Sequence, residues 1–186
     1  MDETVRNSEG LRKLHIGPGN NYIPDWVNVD IFSNVRADIY SSALALPYER
    51  ETFDIIYVCH VLEHFTRHFV LSALTHWRDL LKPTGILRIS VPDFGAICRY
   101  YTETMDLRSL IGLLYGGQNN LLNNHLIAFD EITLSGFLYN VGFKDIRLWD
   151  WRTTEHAQFD DYSQAYLPAF QKDTGRLMSL NMEATK

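Results

Sequence analysis

The sequence predicts an α/β domain built on a parallel sheet covered on both faces, and three observations carry that prediction. Five apolar runs of strand length follow one another, at 11–16, 26–31, 37–40, 54–59 and 86–91. Near-continuous apolar runs of this kind suit strands buried on both faces. Between the fourth and fifth runs, Val70, Leu74, Trp77 and Leu81 recur at helical spacing. The first run ends in Leu14-His15-Ile16-Gly17-Pro18-Gly19-Asn20, and the second in Val27-Asn28-Val29-Asp30. Glycines at a strand end permit positive φ and let a ligand lie against backbone. A carboxylate at the tip of the neighbouring strand can accept both hydroxyls of a ribose. Strand, glycine turn and acidic strand end together describe a site for a nucleoside-type cofactor.

Each element has a local reason. The helix over the Val70 stripe stops at Lys82-Pro83-Thr84-Gly85, because proline cannot continue it and glycine supports the turn. Residues 94–129, rich in Tyr, Asn and Gly, read as helical pieces joined by loops. Asp130 is a candidate N-cap for a helix carrying Leu134, Leu138 and Val141, with Gly142 at its C-terminal cap. Residues 144–151 alternate as a strand, and so do 177–185, with Met178, Leu180, Met182 and Ala184 sharing a face. Between these two strands, 152–176 is long for a connection and holds Phe159, Tyr162, Tyr166 and Phe170. Residues 1–10 are polar and expected to be flexible, leaving 11–186 as one domain.

Composition narrows the class. The 186 residues are 46% hydrophobic and 22% charged, ordinary values for a globular chain long enough to bury a core. A net charge of −6 supplies no basic footprint for nucleic acid or an anionic membrane. Cys59 and Cys98 are the only cysteines, and Cys59 lies within a buried-strand run, so no disulfide framework is expected. The acidic start Met1-Asp2-Glu3-Thr4 is unlike a signal peptide, and no apolar run approaches the roughly 18 residues of a membrane helix. The expected location is cytoplasmic.

Three readings compete for the glycine turn. A dinucleotide fold wants a third glycine and a full phosphate-cradling helix, but Tyr22 holds that position and Pro24 follows closely. Asp30 comes 13 residues after Gly17, against about 20 in that fingerprint. A helix of one or two turns is a poor phosphate cradle, and no Gly-Lys-Ser/Thr follows to make a P-loop. A cofactor without phosphates tolerates so short a helix. The bland reading is an α/β scaffold without catalysis.

Resemblance adds to this. Leu46-Pro47-Tyr48, Thr52-Phe53-Asp54-Ile55-Ile56 and Val61-Leu62-Glu63-His64 are similar to the LPF, SFD and VLEH signature of class I S-adenosylmethionine-dependent methyltransferases, type 11-like. Leu80-Leu81-Lys82-Pro83-Thr84-Gly85-Ile86-Leu87 resembles that family's segment before its fifth strand. His125, Phe129, Leu134, Leu138 and Gly142-Phe143 resemble its last helix and the turn into antiparallel strands. The resemblance spans roughly 12–150, and a compact branch with Trp-Val-Asn-Val-Asp at the second strand is the most similar. It implies a Rossmann-like doubly wound sheet of seven strands, an antiparallel last pair and a shortened first helix. It also implies methyl transfer from S-adenosyl-L-methionine to a small-molecule acceptor, a sugar or natural-product hydroxyl among them. A non-catalytic cofactor-binding subunit with the same fold is the alternative.

The candidate cofactor residues are then Gly17, Pro18, Gly19, Asp30, Ile31, Ser41, Ser42, Cys59 and His60. Gly17 and Gly19 face the methionine part, Asp30 the ribose, and His60 the floor beneath the cofactor. Ser42 stands where the family carries an adenine-binding Asp, and a hydroxyl supplies no charge there. Asp38 could compensate only by facing the site. Glu63 and His64 read as helix start and packing. Asp93, after the fifth strand, and His125 are the candidate general bases for a hydroxyl acceptor. A metal-assisted catechol-type site wants carboxylates and Asn after the fourth and fifth strands, and Asp93 is followed by Phe94, so no metal is expected. Residues 94–129 and 152–176 are the expected substrate-side insertions.

Overall fold

The structure, a computed structural model, describes residues 10–169 and 171–186. The expected flexible N-terminus, Gly10 apart, and Phe170 lie outside the described residues. Five parallel strands come first: β1 (Lys13–Ile16), β2 (Val27–Asp30), β3 (Ile39–Tyr40), β4 (Phe53–Cys59) and β5 (Leu81–Pro92). Helix α1 (Arg67–Leu80) precedes β5, and α2 (Phe94–Thr104), α3 (Ile111–Tyr115) and α4 (Glu131–Val141) follow it. The chain closes with β6 (Lys144–Leu148), β7 (Tyr166–Leu167), β8 (Arg176–Leu177) and β9 (Ser179–Thr185). The main sheet runs β3-β2-β1-β4-β5-β9-β6, and β7 pairs β8 in a separate two-stranded ladder. Strand β9 is antiparallel to both β5 and β6, so one reversed strand carries the antiparallel end of the doubly wound sheet. Among the described residues, no helix is long and apolar enough to cross a membrane.

The apolar patterns become the core. Val70, Leu74 and Trp77 of α1 and Leu134 and Leu138 of α4 are buried against Ile56, Val58, Leu87 and Ile89 of the central strands. On the other face Trp26, Tyr57 and Trp149 pack together, and Ala96, Ile97 and Tyr100 of α2 meet Leu110 and Met178. Asp130 caps α4 as its side chain accepts the Thr133 N–H at 2.8 Å, and Gly142 closes it at φ 95°.

Several local expectations shift. The shortened first helix is reduced further: turns alone join β1 to β2, with Pro24 in the link. Leu81, on the predicted helical stripe, is buried but already extended (ψ 140°), because β5 starts there and Leu81 pairs with Phe53. The strand expected over 144–151 ends at Leu148, and Asp150 caps a 3₁₀ turn over Trp151–Thr153. The strand expected over 177–185 is split: Leu177 belongs to β8, and Met178 joins the α2 cluster while Leu180, Met182 and Ala184 reach the main core.

Candidate active site

The turn after β1 is held from three sides. Gly17 takes φ 71° and Gly19 φ 52°, conformations that cost an L side chain energy. The Gly17 N–H donates to Val29 O at 2.8 Å, stitching the turn to β2. A Cβ on Gly17 would overlap the γ-carbon of Val61, so the strand end and the segment after β4 approach too closely for any larger residue. Asp30, buried at the end of β2, accepts the Gly19 N–H at 3.0 Å on Oδ2 and the Phe32 N–H at 2.9 Å on Oδ1. Each carboxylate oxygen has two lone pairs, so this clamp leaves acceptor capacity for a diol.

Two cavities meet at this turn, sharing Gly17, Gly19 and His60. The smaller, about 340 Å³, is lined by Asp30, Ile31, Phe32, Ser41, Ser42, Ala43, Val61, His64 and Asn123, among others. The larger, about 650 Å³, is lined by His15, Pro18, Cys59, Asp161, Tyr162, Gln164 and Lys172, among others. All nine sequence-predicted cofactor residues therefore line one cavity or the other. Ser42 Oγ accepts the Leu44 N–H at 3.2 Å, and Ser41 donates to Ala45 O at 2.9 Å. Asp38 is taken up elsewhere, accepting from Tyr22 Oη and the Asn28 N–H, each at 2.7 Å.

The two candidate bases are not brought together. Asp93 caps α2, its Oδ1 accepting the Ala96 N–H at 3.0 Å, and it lines a third cavity with Arg99 and Asp130, away from the glycine turn. His125 faces Glu63 instead: its Nε2 lies 3.9 Å from Glu63 Oε1, and its ring stands edge-on to His64 at 4.9 Å.

Burial lowers the pKa of the histidines around the site. Burial holds His15 down to about 4; the ring stacks on Tyr57 and its Nδ1 lies 3.2 Å from Asn28 Oδ1. Burial, with neighbouring His125 and His64, holds His60 down to about 3. Its backbone is left-handed at φ 52°, and its ring lies 5.2 Å from Tyr162 across the mouth of the larger cavity. Glu63 is 1% exposed, and burial pushes its carboxyl up to about 8. Its Oε1 is 3.2 Å from His60 Nδ1, yet neither carboxylate oxygen makes a hydrogen bond. Glu63 sits in the first turn of the 3₁₀ segment Leu62–His64, packed inside.

Sequence reasoning expected 152–176 on the substrate side but did not single out the polar residues of the larger cavity's wall. Asp161, Tyr162 and Gln164 come from the segment between β6 and β9, more than 100 residues from the glycine turn in sequence. Their signal was the excess length and aromatic content of 152–176. His15 was hidden as an interior position of an apolar strand.

With this geometry in place, comparisons identify the architecture. Residues 16–89 match the family model of a methyltransferase domain. An S-adenosylmethionine-dependent methyltransferase from Thermotoga maritima superposes with a TM-score of 0.62 at 15% identity, covering 95% of this chain and 82% of that one. One from Archaeoglobus fulgidus gives 0.59 at 14%, covering 95% and 87%. The Burkholderia thailandensis 1,6-didemethyltoxoflavin-N1-methyltransferase, solved with bound 1,6-didemethyltoxoflavin and S-adenosylhomocysteine, gives 0.57 at 17%, covering 95% and 71%. Comparison with curated proteins finds no match. The chain therefore has the fold of the S-adenosylmethionine-dependent methyltransferases it is similar to, and its residues 16–89 match the model of a methyltransferase domain.

Proposed function

We propose that this chain transfers a methyl group from S-adenosyl-L-methionine to a small-molecule acceptor carrying a hydroxyl, such as a sugar or a natural product. The observation that carries the reading is the clamp between Asp30 and Gly19 at the junction of two cavities. The smaller cavity suits a nucleoside: Asp30 receives the ribose hydroxyls, Ser41 and Ser42 stand at the base edge, and Ile31 and Phe32 supply apolar faces. The glycine turn lets the amino-acid part run along bare backbone toward His60. When bound, the cofactor supplies an electrophilic methyl group on a sulfonium.

The larger cavity then holds the acceptor. Tyr162 opposite His60 bounds it, and Asp161 is tied down by the Tyr57 hydroxyl at 2.6 Å. Rate enhancement on this reading comes from alignment of the two substrates and exclusion of water, with the loop over 160–166 as the wall. That the Burkholderia enzyme holds a small heterocycle supports an acceptor of this size.

Calorimetric titration with S-adenosylhomocysteine, NAD and ATP tests the cofactor assignment: the first should bind and the other two should not. Conversion of labelled cofactor in pools of candidate small molecules tests transfer. Cofactor binding with no conversion in any pool would favour a non-catalytic subunit.

A further inference from the structure

Glu63 and His125 line neither cavity at the glycine turn, and with His64 they form a cluster of their own. Glu63, His64 and His125 place one donor atom each within 4.8 Å of one another. His60 Nδ1 lies against the carboxylate from another side, 3.2 Å from Glu63 Oε1. The partners of each ring fix which nitrogen carries its proton. His125 Nδ1 is 2.9 Å from Leu113 O and His64 Nδ1 is 3.1 Å from Asn124 O, so both donate from Nδ1 and leave Nε2 as a bare lone pair. His60 Nε2 is 3.2 Å from Ser179 Oγ, whose own proton goes to Asn181 Oδ1 at 3.0 Å. Asn181 is oriented in turn by donating its Nδ2 to Ser163 O at 2.9 Å. His60 therefore donates from Nε2, and its bare Nδ1 faces Glu63.

Two imidazole lone pairs and a carboxylate thus converge, with His60 Nδ1 beside the carboxylate, and neither carboxylate oxygen makes a hydrogen bond. A proton on Glu63 relieves one of these contacts. A dication relieves them together. Imidazoles whose far N–H is held by a carbonyl or hydroxyl are the usual form of a metal-ligating histidine. Donors about 2.1 Å from one tetrahedral ion lie about 3.4 Å apart, so the widest pair must close by up to about 1.4 Å to seat it.

We propose that Glu63, His64 and His125 bind one divalent first-row transition-metal ion. Mixed imidazole and carboxylate ligands suit Zn²⁺, Co²⁺, Mn²⁺ or Fe²⁺ rather than Mg²⁺ or Ca²⁺. The expectation of no metal rested on residues directly after β4 and β5 in another ligand pattern. These donors come from the 3₁₀ turn after β4 and from the loop after α3. His64 also lines the smaller cavity, so a solvent oxygen from that side is the ligand class that would complete the coordination.

The test is titration of chelator-stripped protein with Co²⁺, followed by visible absorption, with Zn²⁺ in competition. One equivalent should bind, with a d–d spectrum showing nitrogen ligation. Glu63→Gln and His125→Gln should each weaken it by about 100-fold or more, exceeding the 10–100-fold typical of outer partners alone. His125→Gln covers the case in which the Glu63 variant does not fold. No stoichiometric uptake, or wild-type uptake in both folded variants, overturns the proposal. S-adenosylhomocysteine is titrated into the same samples. Cofactor binding without metal uptake overturns this inference alone, and metal uptake without cofactor binding overturns the functional reading alone.

Discussion

Asp30 and Gly19 are joined by a 3.0 Å hydrogen bond, carboxylate to backbone N–H, across the turn that links β1 to β2. The acidic strand end is therefore both a ligand-facing group and the clamp that shapes the turn. The two roles make separable predictions. Asp30→Ala should weaken S-adenosylhomocysteine binding by about 1.5–3 kcal/mol, the scale for hydrogen bonds to a charged group. Asp30→Asn, which keeps one acceptor oxygen, should fall between. Isothermal calorimetry measures both, and unchanged affinity in a folded Asp30→Ala would remove the carboxylate from the site.

The two glycines should differ in their response to a methyl group. Gly17→Ala adds an overlap with Val61 to a left-handed backbone, for a cost of about 2–4 kcal/mol. At Gly19 an added Cβ meets open space, so Gly19→Ala should cost only the conformational part, about 1–2 kcal/mol. Urea denaturation should show this ranking. Adding Val61→Ala to Gly17→Ala should recover part of the loss, since it removes the colliding carbon.

Ser42 lines the cavity that Asp30 lines, at the position where the family resemblance implies a carboxylate. Ser42→Asp should tighten S-adenosylhomocysteine binding by supplying a charged acceptor. A weaker or unaltered dissociation constant would place the serine away from the adenine edge.

Asp93 caps α2, and a cap has a different signature from a base. Asp93→Ala should cost about 1 kcal/mol of stability and Asp93→Asn less, because Asn is itself a good cap. Turnover should survive in Asp93→Asn. A fall of about 10²–10⁴ in turnover with unchanged cofactor affinity would make Asp93 a general base after all.

Acid should destabilise the fold in two windows. Buried His15 and His156 are each held at about 4 when folded, chiefly by burial, against 6.5 when unfolded. Below 6.5 the unfolded chain binds more protons, so stability is full above pH 6.5 and falls as the pH drops toward 4. For His15 alone the loss is about 3 kcal/mol. Glu155 behaves in the second window. Burial raises its carboxyl, but the Lys13 hydrogen bond and the Arg88 charge outweigh that and hold it at about 2. Its contribution is present above 4.5 and is lost as the pH falls through 2. Urea midpoints between pH 7 and 2 should show both losses, and His15→Gln should flatten the first.

Local rules account for what was legible in the chain. The Val70, Leu74, Trp77 stripe marks α1 because a helix repeats every 3.6 residues whatever it packs against. Asp130 and Gly142 mark the ends of α4 because capping needs only neighbouring amides and carbonyls. The turn itself was legible because positive φ selects glycine. Residues 177–185 show where such rules stop. Alternation predicts one strand there, but Leu177 pairs with β7 and Ser179 onward with β5, and no local pattern distinguishes the two partners.

The sequence by itself determined the parallel α/β architecture, the glycine turn and the acidic end of β2, since backbone conformation, amphipathic period and capping act within a few residues. Only the tertiary structure decided that Asp93 is spent on capping α2 and that Tyr162 faces His60. It alone brought His125 against Glu63 and His64, some 60 residues away. A buried carboxylate's surroundings depend on which loops cross above it, and that is set by how the whole sheet and its helices pack rather than by any residue's neighbours in the chain.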